Sequence, residues 1–279
     1  MTRRELADSK MVVGLGLAAR SATIFGFGGE RQKLVIFDLD GTLAESKQPL
    51  TATMANLLAK LLDIARVAVI SGGALPQFLK QVVSHLPGYA NLKNLYLLPT
   101  SGAALYEYRD DEWNKVYEER LSEKEAHTIG KAMRAAAKET GIINFRDQSW
   151  GERIEYRGGE VTLSALGQQA PIVLKKEWDP DHAKRHALRD AIAERLPEYS
   201  VGIGGVTSID VTKKGIDKAY GLRKLCERLG VPESDALYVG DELESGGNDE
   251  AVYKTSVQTK SVKDPAETSK LIESLISNA

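Results

Sequence analysis

Short apolar runs alternate with stretches of helical periodicity along the first third of this chain. The runs at 33–37, 66–70 and 95–98 have the length and composition of buried strands. Between them, apolar residues over about 51–63 and about 75–85 recur with the spacing of one helix face. Strands that alternate with helices predict βαβ units, so we expect a parallel sheet.

The pattern changes in the middle of the chain. A capping-box sequence at 122–125 starts a helical pattern that continues to about residue 139. Close-set strand patterns at 152–156 and 160–164 are separated by a glycine turn and predict an antiparallel hairpin. A charged amphipathic helix is expected over about 179–196, with Pro180 near its start. The middle is therefore predicted to be an α+β module.

Alternation resumes after residue 205. The predicted elements are a strand at 206–211, a helix at about 216–229, strands at 236–239 and 255–258, and a helix at about 265–277. We therefore expect an α/β protein, with a Rossmann-like parallel-sheet core that an α+β cap domain interrupts. The predicted domains are an N-terminal extension (1–32), a discontinuous core (33–118 and 209–279) and the cap (119–208).

Bulk properties narrow the class of protein. With 279 residues and a formal net charge of −2, the chain can bury a large core and gives no sign of a nucleic-acid partner. No apolar run approaches the ~20 residues that span a bilayer, so no membrane partner is expected. The one cysteine, Cys226, cannot form an intramolecular disulfide, and a cytoplasmic location is predicted. Arg3 and Arg4 before the apolar run 11–19 give only a weak resemblance to a targeting segment.

Two acids follow the first predicted strand directly, in the sequence Asp-Leu-Asp-Gly-Thr-Leu at 38–43. Asp38 and Asp40 point the same way if the strand geometry persists, because side chains on one face recur every second residue. Two crowded carboxylates repel unless a cation or a shared proton relieves them. The pair therefore predicts a divalent metal, a division of labour between acid and base, or both.

Other residues of catalytic type follow the later core strands or begin the helix after one. They are Ser71, Gly72, Lys218, Asp241, Asn248 and Asp249. A hydroxyl with free backbone N–H groups, as in Ser71-Gly72, suits a phosphate oxygen. Because the carboxyl ends of parallel strands share one edge of the sheet, we expect these residues to meet the Asp38/Asp40 pair.

Taken together, these motifs resemble the haloacid dehalogenase (HAD) superfamily of aspartate-dependent phosphotransferases, over about residues 33–279. The resemblance implies that Asp38 attacks phosphorus and becomes an aspartyl phosphate, while Asp40 serves as general acid and base. It also implies a Mg²⁺ ion held by the Asp38 carboxylate, the Asp40 carbonyl and Asp241.

The same resemblance implies roles for the remaining residues. Lys218 and Ser71 are expected to stabilise the phosphoryl oxygens, with hydrogen bonds from the Thr42 region. Asn248 and Asp249 would support the metal site from behind, although Asp249 is nearly as well explained as a helix-start acid. Thr42, Gly72 and Asn248 are also expected to contact the substrate.

Within the superfamily, the chain is most similar to the eukaryotic-type phosphomannomutases. The similarity rests on the segments 154–159, 204–211 and 216–218, and on the spacing from Asp241 to the Gly-Gly-Asn-Asp at 246–249. It implies a phosphorylated sugar as substrate and allows a homodimer.

The acceptor of the phosphoryl group is left open between water and a sugar hydroxyl. Arg157 matches a cap arginine that grips the sugar-bound phosphate in that family, but the family's next cap arginine is Gln168 here. A further basic position falls near Lys175 and Lys176. Because a neutral amide replaces a bidentate cation, we expect Mg²⁺-dependent hydrolysis of a hexose phosphate. The alternative is a mutase that interconverts hexose 1- and 6-phosphates, and a non-catalytic binding module is a third, weaker hypothesis.

Overall fold

The structure is a computed structural model that describes residues 34–279. The predicted extension 1–32, with its weak resemblance to a targeting segment, lies outside the described residues. Within 34–279, no helix combines the length and apolar character needed to cross a membrane.

Strands and helices alternate through most of the described chain. The strands are β1 (Leu34–Asp38), β2 (Arg66–Ile70), β3 (Leu95–Leu98), β4 (Ala104–Arg109), β5 (Glu112–Glu118), β6 (Ile154–Tyr156), β7 (Glu160–Ser164), β8 (Tyr199–Ile203), β9 (Ser208–Lys213), β10 (Ala236–Gly240) and β11 (Gln258–Ser261). The helices are α1 (Ala52–Ile64), α2 (Leu75–Gln81), α3 (Glu123–Thr140), α4 (Ile172–Trp178), α5 (Ala183–Arg195), α6 (Lys218–Leu229) and α7 (Pro265–Ser277).

The core is a seven-stranded sheet in the order β11-β10-β1-β2-β3-β4-β5. Its first five strands run parallel, and the β4–β5 hairpin adds an antiparallel edge. β1 is the middle one of the five parallel strands, so the acids that follow it emerge at the middle of their shared carboxyl edge. The predicted α/β core with a parallel sheet is confirmed.

Apolar faces of helices cover both sides of this sheet. Helices α1 and α7 pack on one side, where α1 buries Leu58, Leu61 and Leu62 against β1 and β2. Helix α6 packs on the other side through Leu222 and Leu225. Truncating such a buried leucine to alanine costs about 2–5 kcal/mol, so packing on both faces fixes the strand ends that carry the site.

The cap is a second, antiparallel sheet in the order β6-β7-β9-β8, packed against α3 and α5. The β6–β7 hairpin forms as the sequence predicts. Helix α3 begins with the predicted capping box, in which Ser122 and Glu125 bond each other's backbone N–H groups. The inserted cap is thus a compact unit with its own apolar core.

Strand β9 corrects the expectation that the strand predicted at 206–211 belongs to the core. It pairs with β7 and β8, with Leu163 opposite Ile209, and its apolar side chains Ile209 and Val211 lie in the cap core. The cap sheet therefore extends to Lys213, beyond the predicted boundary at 208. A strand followed by a turn and a helix has the same local pattern in either domain, and only its pairing partner distinguishes them.

The charged cap helix also starts later than predicted, at Ala183. The Asp179 carboxylate accepts hydrogen bonds from the backbone N–H groups of Lys184 and Arg185, so residues 179–182 form a turn before the helix. This turn sets the direction of Arg185.

Candidate active site

A lysine lies between two buried acids at the centre of the carboxyl edge. Asp38 is the last residue of β1 and Lys218 is the first residue of α6. The Lys218 Nζ lies 2.6 Å from Asp38 Oδ1 and 2.6 Å from Asp249 Oδ1. The Tyr238 hydroxyl donates to the same Asp249 oxygen at 2.6 Å. The structure thus brings together three residues selected from the sequence and adds Tyr238. Because Tyr238 lies among apolar residues of β10, the sequence gives no sign that its hydroxyl belongs to the site.

Burial dominates the electrostatics of this cluster. It raises the pKa of Asp38 well above its usual range; Lys218 opposes this shift, and the charges of Asp249 and Asp241 add to it. Burial also disfavours the Lys218 cation, but Asp249 and Asp38 outweigh it and raise the Lys218 pKa. Lys218 therefore stays charged, and the acids around it still outnumber it. A further cation would relieve that excess.

Asp241 follows β10 and lies against the turn after β1. Thr42 Oγ1 donates to Asp241 Oδ1 at 2.9 Å. Gly41 has a φ of +95°, and a Cβ at that position would collide with the Asp241 carboxylate, so the glycine is required for this approach. Burial, with added repulsion from Asp249 and Glu242, raises the pKa of Asp241 to about 7 although the Thr42 bond lowers it.

The donor set suits Mg²⁺. Asp38 and Asp241 present carboxylate oxygens whose pKa values are raised mainly by burial and further by neighbouring acids, and oxygen ligands are those that Mg²⁺ prefers. Among residues 34–279, no group of three or more His, Cys, Asp or Glu side chains is placed to hold a metal. The predicted site needs only two carboxylates and the Asp40 carbonyl, so the residues fit, and the carbonyl ligand stays a prediction.

Asp40 has a different environment from Asp38. Its carboxylate accepts from the Lys47 backbone N–H at 2.6 Å and from Gln77 Nε2 at 3.3 Å, and it lines the cavity between core and cap. Asp38 is 1% exposed and ion-paired to Lys218. Two nearby carboxylates in contrasting surroundings are the arrangement in which one acid can attack while the other exchanges protons.

The cavity itself has a volume of about 250 Å³. Ser71, Gly72 and Asn248, which are expected to contact phosphate or substrate, line it together with residues of the cap. Asp38, Thr42 and Lys218 are buried and are not among its lining residues. The lining includes Asp40, Lys47, Ser71, Gly72, Arg157, Lys175, Asp210, Asp241 and Asn248. In the amide orientation that satisfies both partners, Asn248 donates to the Ile203 carbonyl at 3.3 Å and accepts from Lys218 Nζ at 3.0 Å. Asn248 therefore connects the cap to the lysine of the buried cluster.

Three cations converge on Gln168 at the cap end of the cavity. Lys47 Nζ donates to the Gln168 carbonyl at 2.9 Å and to its Oε1 at 2.8 Å. Lys175 Nζ donates to the same carbonyl at 3.1 Å, and Arg157 Nη2 donates to Oε1 at 3.1 Å. Burial, together with the charges of Lys175 and Arg157, lowers the pKa of Lys47 to about 8. Like charges held this close favour the binding of an anion.

The sequence showed only part of this cationic end. Arg157 is expected from the sequence to contact substrate, and Lys175 is one of two lysines near a further basic position of the family. Lys47 is not expected, because it lies in a turn that carries no motif. Gln168 was expected to contact substrate too, and the structure shows it bonded to the cations, with its Nε2 buried and unpartnered among the described residues. Lys176 instead forms an exposed pair with Glu45 at 3.4 Å.

A second acidic pair, Glu160 and Asp210, lies in the cap behind Gly72 and was also missed. Burial and the Asp210 charge raise the pKa of Glu160 to about 8. Ser101 Oγ donates to Glu160 at 2.8 Å, and Arg157 Nη1 lies 3.4 Å from it. Asp210 Oδ1 is buried and has no hydrogen-bond partner in the described chain. Alternation along β7 and β9 could have placed both acids on one face, had β9 been assigned to the cap.

The loop after β2 joins the two ends of the cavity. Arg157 Nη1 donates to the Gly72 carbonyl at 2.7 Å, so a cap cation is bonded directly to a core loop. Ser71 is 5% exposed, and its hydroxyl accepts weakly from the Gly73 N–H at 3.5 Å. Within residues 34–279 the Ser71 hydroxyl donates to no acceptor, and Ser71 lines the cavity, so its proton is available for a phosphoryl oxygen.

Comparison with known proteins identifies the family of this chain. A family model described as eukaryotic phosphomannomutase matches residues 54–278. The chain belongs to that family. A probable phosphomannomutase of Caenorhabditis elegans is 27% identical over 259 residues, which cover 87% of this chain and 95% of that protein. A phosphomannomutase of Saccharomyces cerevisiae is 25% identical over 260 residues, which cover 90% and 97%.

Solved structures place this phosphomannomutase-family chain in the HAD fold. An IMP-nucleotidase of Plasmodium falciparum superposes with a TM-score of 0.63 at 16% identity, covering 88% of this chain and 68% of that one. A haloacid dehalogenase-like hydrolase of Bacteroides thetaiotaomicron gives a TM-score of 0.55 at 17% identity, covering 88% and 100%. The expected superfamily and its resemblance to phosphomannomutases are confirmed, and the relatives' names favour the mutase alternative over plain hydrolysis.

Proposed function

We propose that the protein is a Mg²⁺-dependent phosphosugar mutase of the phosphomannomutase type, which moves a phosphoryl group between the hydroxyls of a hexose phosphate. The observation that carries the proposal is the convergence of Lys47, Lys175 and Arg157 on Gln168, beside the cavity that these three cations line together with Asp40 and Asp241. A mutase must bind a bisphosphorylated sugar, with one phosphate at the reacting end and the other held elsewhere.

At the core end, the residues divide the chemistry between them. An Asp38 carboxylate oxygen forms a bond to phosphorus as the bond from phosphorus to the sugar oxygen breaks, and Asp40 donates a proton to that oxygen. In the second step a different hydroxyl of the sugar attacks the aspartyl phosphate, the bond from phosphorus to Asp38 breaks, and the hydroxyl gives its proton to Asp40. Lys218 offsets negative charge beside Asp38, while Ser71 donates to a phosphoryl oxygen. Mg²⁺ held by Asp38 and Asp241 would neutralise charge on the phosphoryl group.

At the cap end, the cations support a sugar acceptor. Gln168 by itself favours hydrolysis, since an amide holds phosphate less strongly than a guanidinium. Lys47 donates to the Gln168 side chain and backbone carbonyl, and Lys175 donates to the same carbonyl, so two ammonium groups lie beside the amide. Within residues 34–279, neither ammonium has an acid within ion-pairing distance. The expected homodimer and the cytoplasmic location stay predictions.

Product analysis tests the proposal. The protein is incubated with Mg²⁺ and each of a panel of hexose 1- and 6-phosphates, with and without a hexose 1,6-bisphosphate, and the products are followed by ³¹P NMR. We expect interconversion of the 1- and 6-phosphates that depends on the bisphosphate and is absent in Asp38→Asn. Inorganic phosphate as the main product would support hydrolysis instead, and no Asp38-dependent turnover of any phosphoester would leave only a binding module.

A further inference from the structure

A fully buried cation, Arg185, connects the cap to the catalytic loop of the core. It lies in α5 and is 1% exposed. Its Nε donates to Asp179 Oδ2 at 3.0 Å, and its Nη1 donates to the Gly205 carbonyl at 3.2 Å. Both partners belong to the cap, so the cap itself fixes the direction of the guanidinium. That direction brings Nη1 to 3.8 Å from Oε1 of Glu242 in the core.

Glu242 closes the loop that carries three residues of the site. Its Oε2 accepts from the Asn248 backbone N–H at 3.2 Å, and its carbonyl accepts from the Asp249 N–H at 2.9 Å. Its own N–H donates to Asp249 Oδ2 at 3.3 Å. Because Asp241 precedes it directly, a shift of Glu242 would move Asp241, Asn248 and Asp249 together.

A second contact shows how closely α5 follows this loop. Gly246 lies at the tip of the loop with a φ of +81°, and a Cβ there would collide with the His186 ring, one residue after Arg185. The cap therefore touches the loop at its tip and at Glu242. Substrate must pass between cap and core to reach a cavity lined by both, so these contacts have to form and break during turnover.

We propose that Arg185 is a positioning residue, which through Glu242 holds the 241–249 loop in the geometry for phosphoryl transfer only while the cap rests on the core. The inference rests on the proposed function. When the cap lifts, Glu242 loses its cation, and the loop keeps only its internal hydrogen bonds. Cap closure over a sugar phosphate then aligns Asp241 and the Asp249–Lys218 pair, which links sugar binding to assembly of the reacting end.

The chain offers a matched pair of variants for the test. Glu242→Gln keeps an acceptor for the Asn248 N–H and removes the charge that faces Arg185. Glu250→Gln makes the same chemical change in the same loop, where Glu250 accepts from the Gly246 N–H at 3.0 Å and no ion pair to the cap is present in the described chain. Arg185 keeps Asp179 in both variants, so both are expected to fold, as circular dichroism and thermal melting would verify.

We expect Glu242→Gln to lower kcat about tenfold with little change in KM, whereas Glu250→Gln stays within about twofold of the wild type. Hydrogen–deuterium exchange at residues 241–250 is measured in parallel without substrate, and it should be faster in Glu242→Gln alone. Wild-type kcat and exchange in Glu242→Gln, or equal losses in both variants, would overturn the proposal. If the wild-type protein turns over no hexose phosphate, the proposed function fails, and the exchange comparison still decides the role of Arg185.

Discussion

The two ends of the cavity differ in how their charges are balanced. At the core end, one lysine is bonded to two buried acids, and a third acid, Asp241, lies near them. At the cap end, Lys47 and Lys175 direct their ammonium groups at the oxygens of Gln168, a neutral residue. The core end therefore has an excess of negative charge, whereas the cap end holds two ammonium groups that are bonded to neutral acceptors, beside an Arg157 that is paired with Glu155 and Glu160.

Because of this difference, we expect the core end to carry out the reaction and the cap end to bind the substrate. Paired, buried charges hold a nucleophile in one position, since a displaced partner would leave an uncompensated charge in the interior. Like charges held by neutral acceptors gain most when an anion arrives. We therefore expect changes at the core end to affect kcat and stability, and changes at the cap end to affect KM.

The largest effect is expected from removing the nucleophile at the core end. Asp38→Asn should lower phosphoryl transfer by about a thousandfold or more, because an amide cannot form the aspartyl phosphate. Turnover is measured with a hexose phosphate and Mg²⁺, and substrate binding by calorimetry should be retained. Near-normal turnover in the purified variant would rule out Asp38 as the nucleophile.

The second largest effect is expected on the stability of the protein when Lys218 is replaced. Lys218→Met leaves Asp38 and Asp249 buried without their cation, and the free energy of unfolding should fall by about 3–5 kcal/mol in urea titrations. The matched control is Lys254→Met, which removes a lysine paired with Asp217 at 2.8 Å but 65% exposed. That change should cost less than about 1 kcal/mol. An equal loss in the free energy of unfolding for both variants would show that burial does not make the Lys218 pairs more important than the exposed Lys254 pair.

At the cap end, Lys47→Met is expected to act on binding. Loss of a charge-assisted bond to phosphate should raise KM for the hexose phosphate about 10- to 100-fold and leave kcat within a few-fold. Lys60→Met, which changes an exposed lysine of α1, serves as the control. A fall in kcat without a change in KM would place Lys47 in the chemistry instead.

The smallest effect concerns pH. Because the pKa of Lys47 is lowered to about 8, its ammonium is charged below that pH and neutral above it. KM should therefore rise a few-fold as the pH increases from about 7 to about 9. Lys47→Arg keeps its charge over this range, so its KM should change less; the same rise in both proteins would show that another group titrates.

Much of the core could be predicted from the sequence, because its signals are local. The apolar runs of β1, β2 and β10 are each followed by residues that chemistry selects, and parallel strands bring such ends together. Asp38 and Asp241 lie where that reasoning places them, whereas Lys218 reaches Asp38 from the start of α6, which follows the cap strand β9. The catalytic roles of all three stay predictions. Tyr238 could not be found, since an aromatic residue inside a buried strand looks like packing until its hydroxyl is seen to face Asp249.

The cap end could not be predicted because it depends on tertiary structure. Lys47 reaches Gln168 across 121 positions of sequence, and no local pattern indicates such a contact. The Glu160–Asp210 pair could not be predicted either, because only the pairing of β9 with β7 brings the two acids together. The prediction that water accepts the phosphoryl group therefore depends on Gln168 alone and leaves out the two lysines bonded to it.

If the cap end holds the sugar while the phosphoryl group is transferred, a sugar hydroxyl rather than water is the acceptor. The most direct measurement is a single-turnover reaction in which the enzyme, phosphorylated by ³²P-labelled hexose bisphosphate, is mixed with excess unlabelled hexose monophosphate. We expect the label to pass mainly to sugar in the wild-type protein and to shift toward inorganic phosphate in Lys47→Met. Label released mainly to water by the wild-type protein, with no change in Lys47→Met, would contradict this expectation.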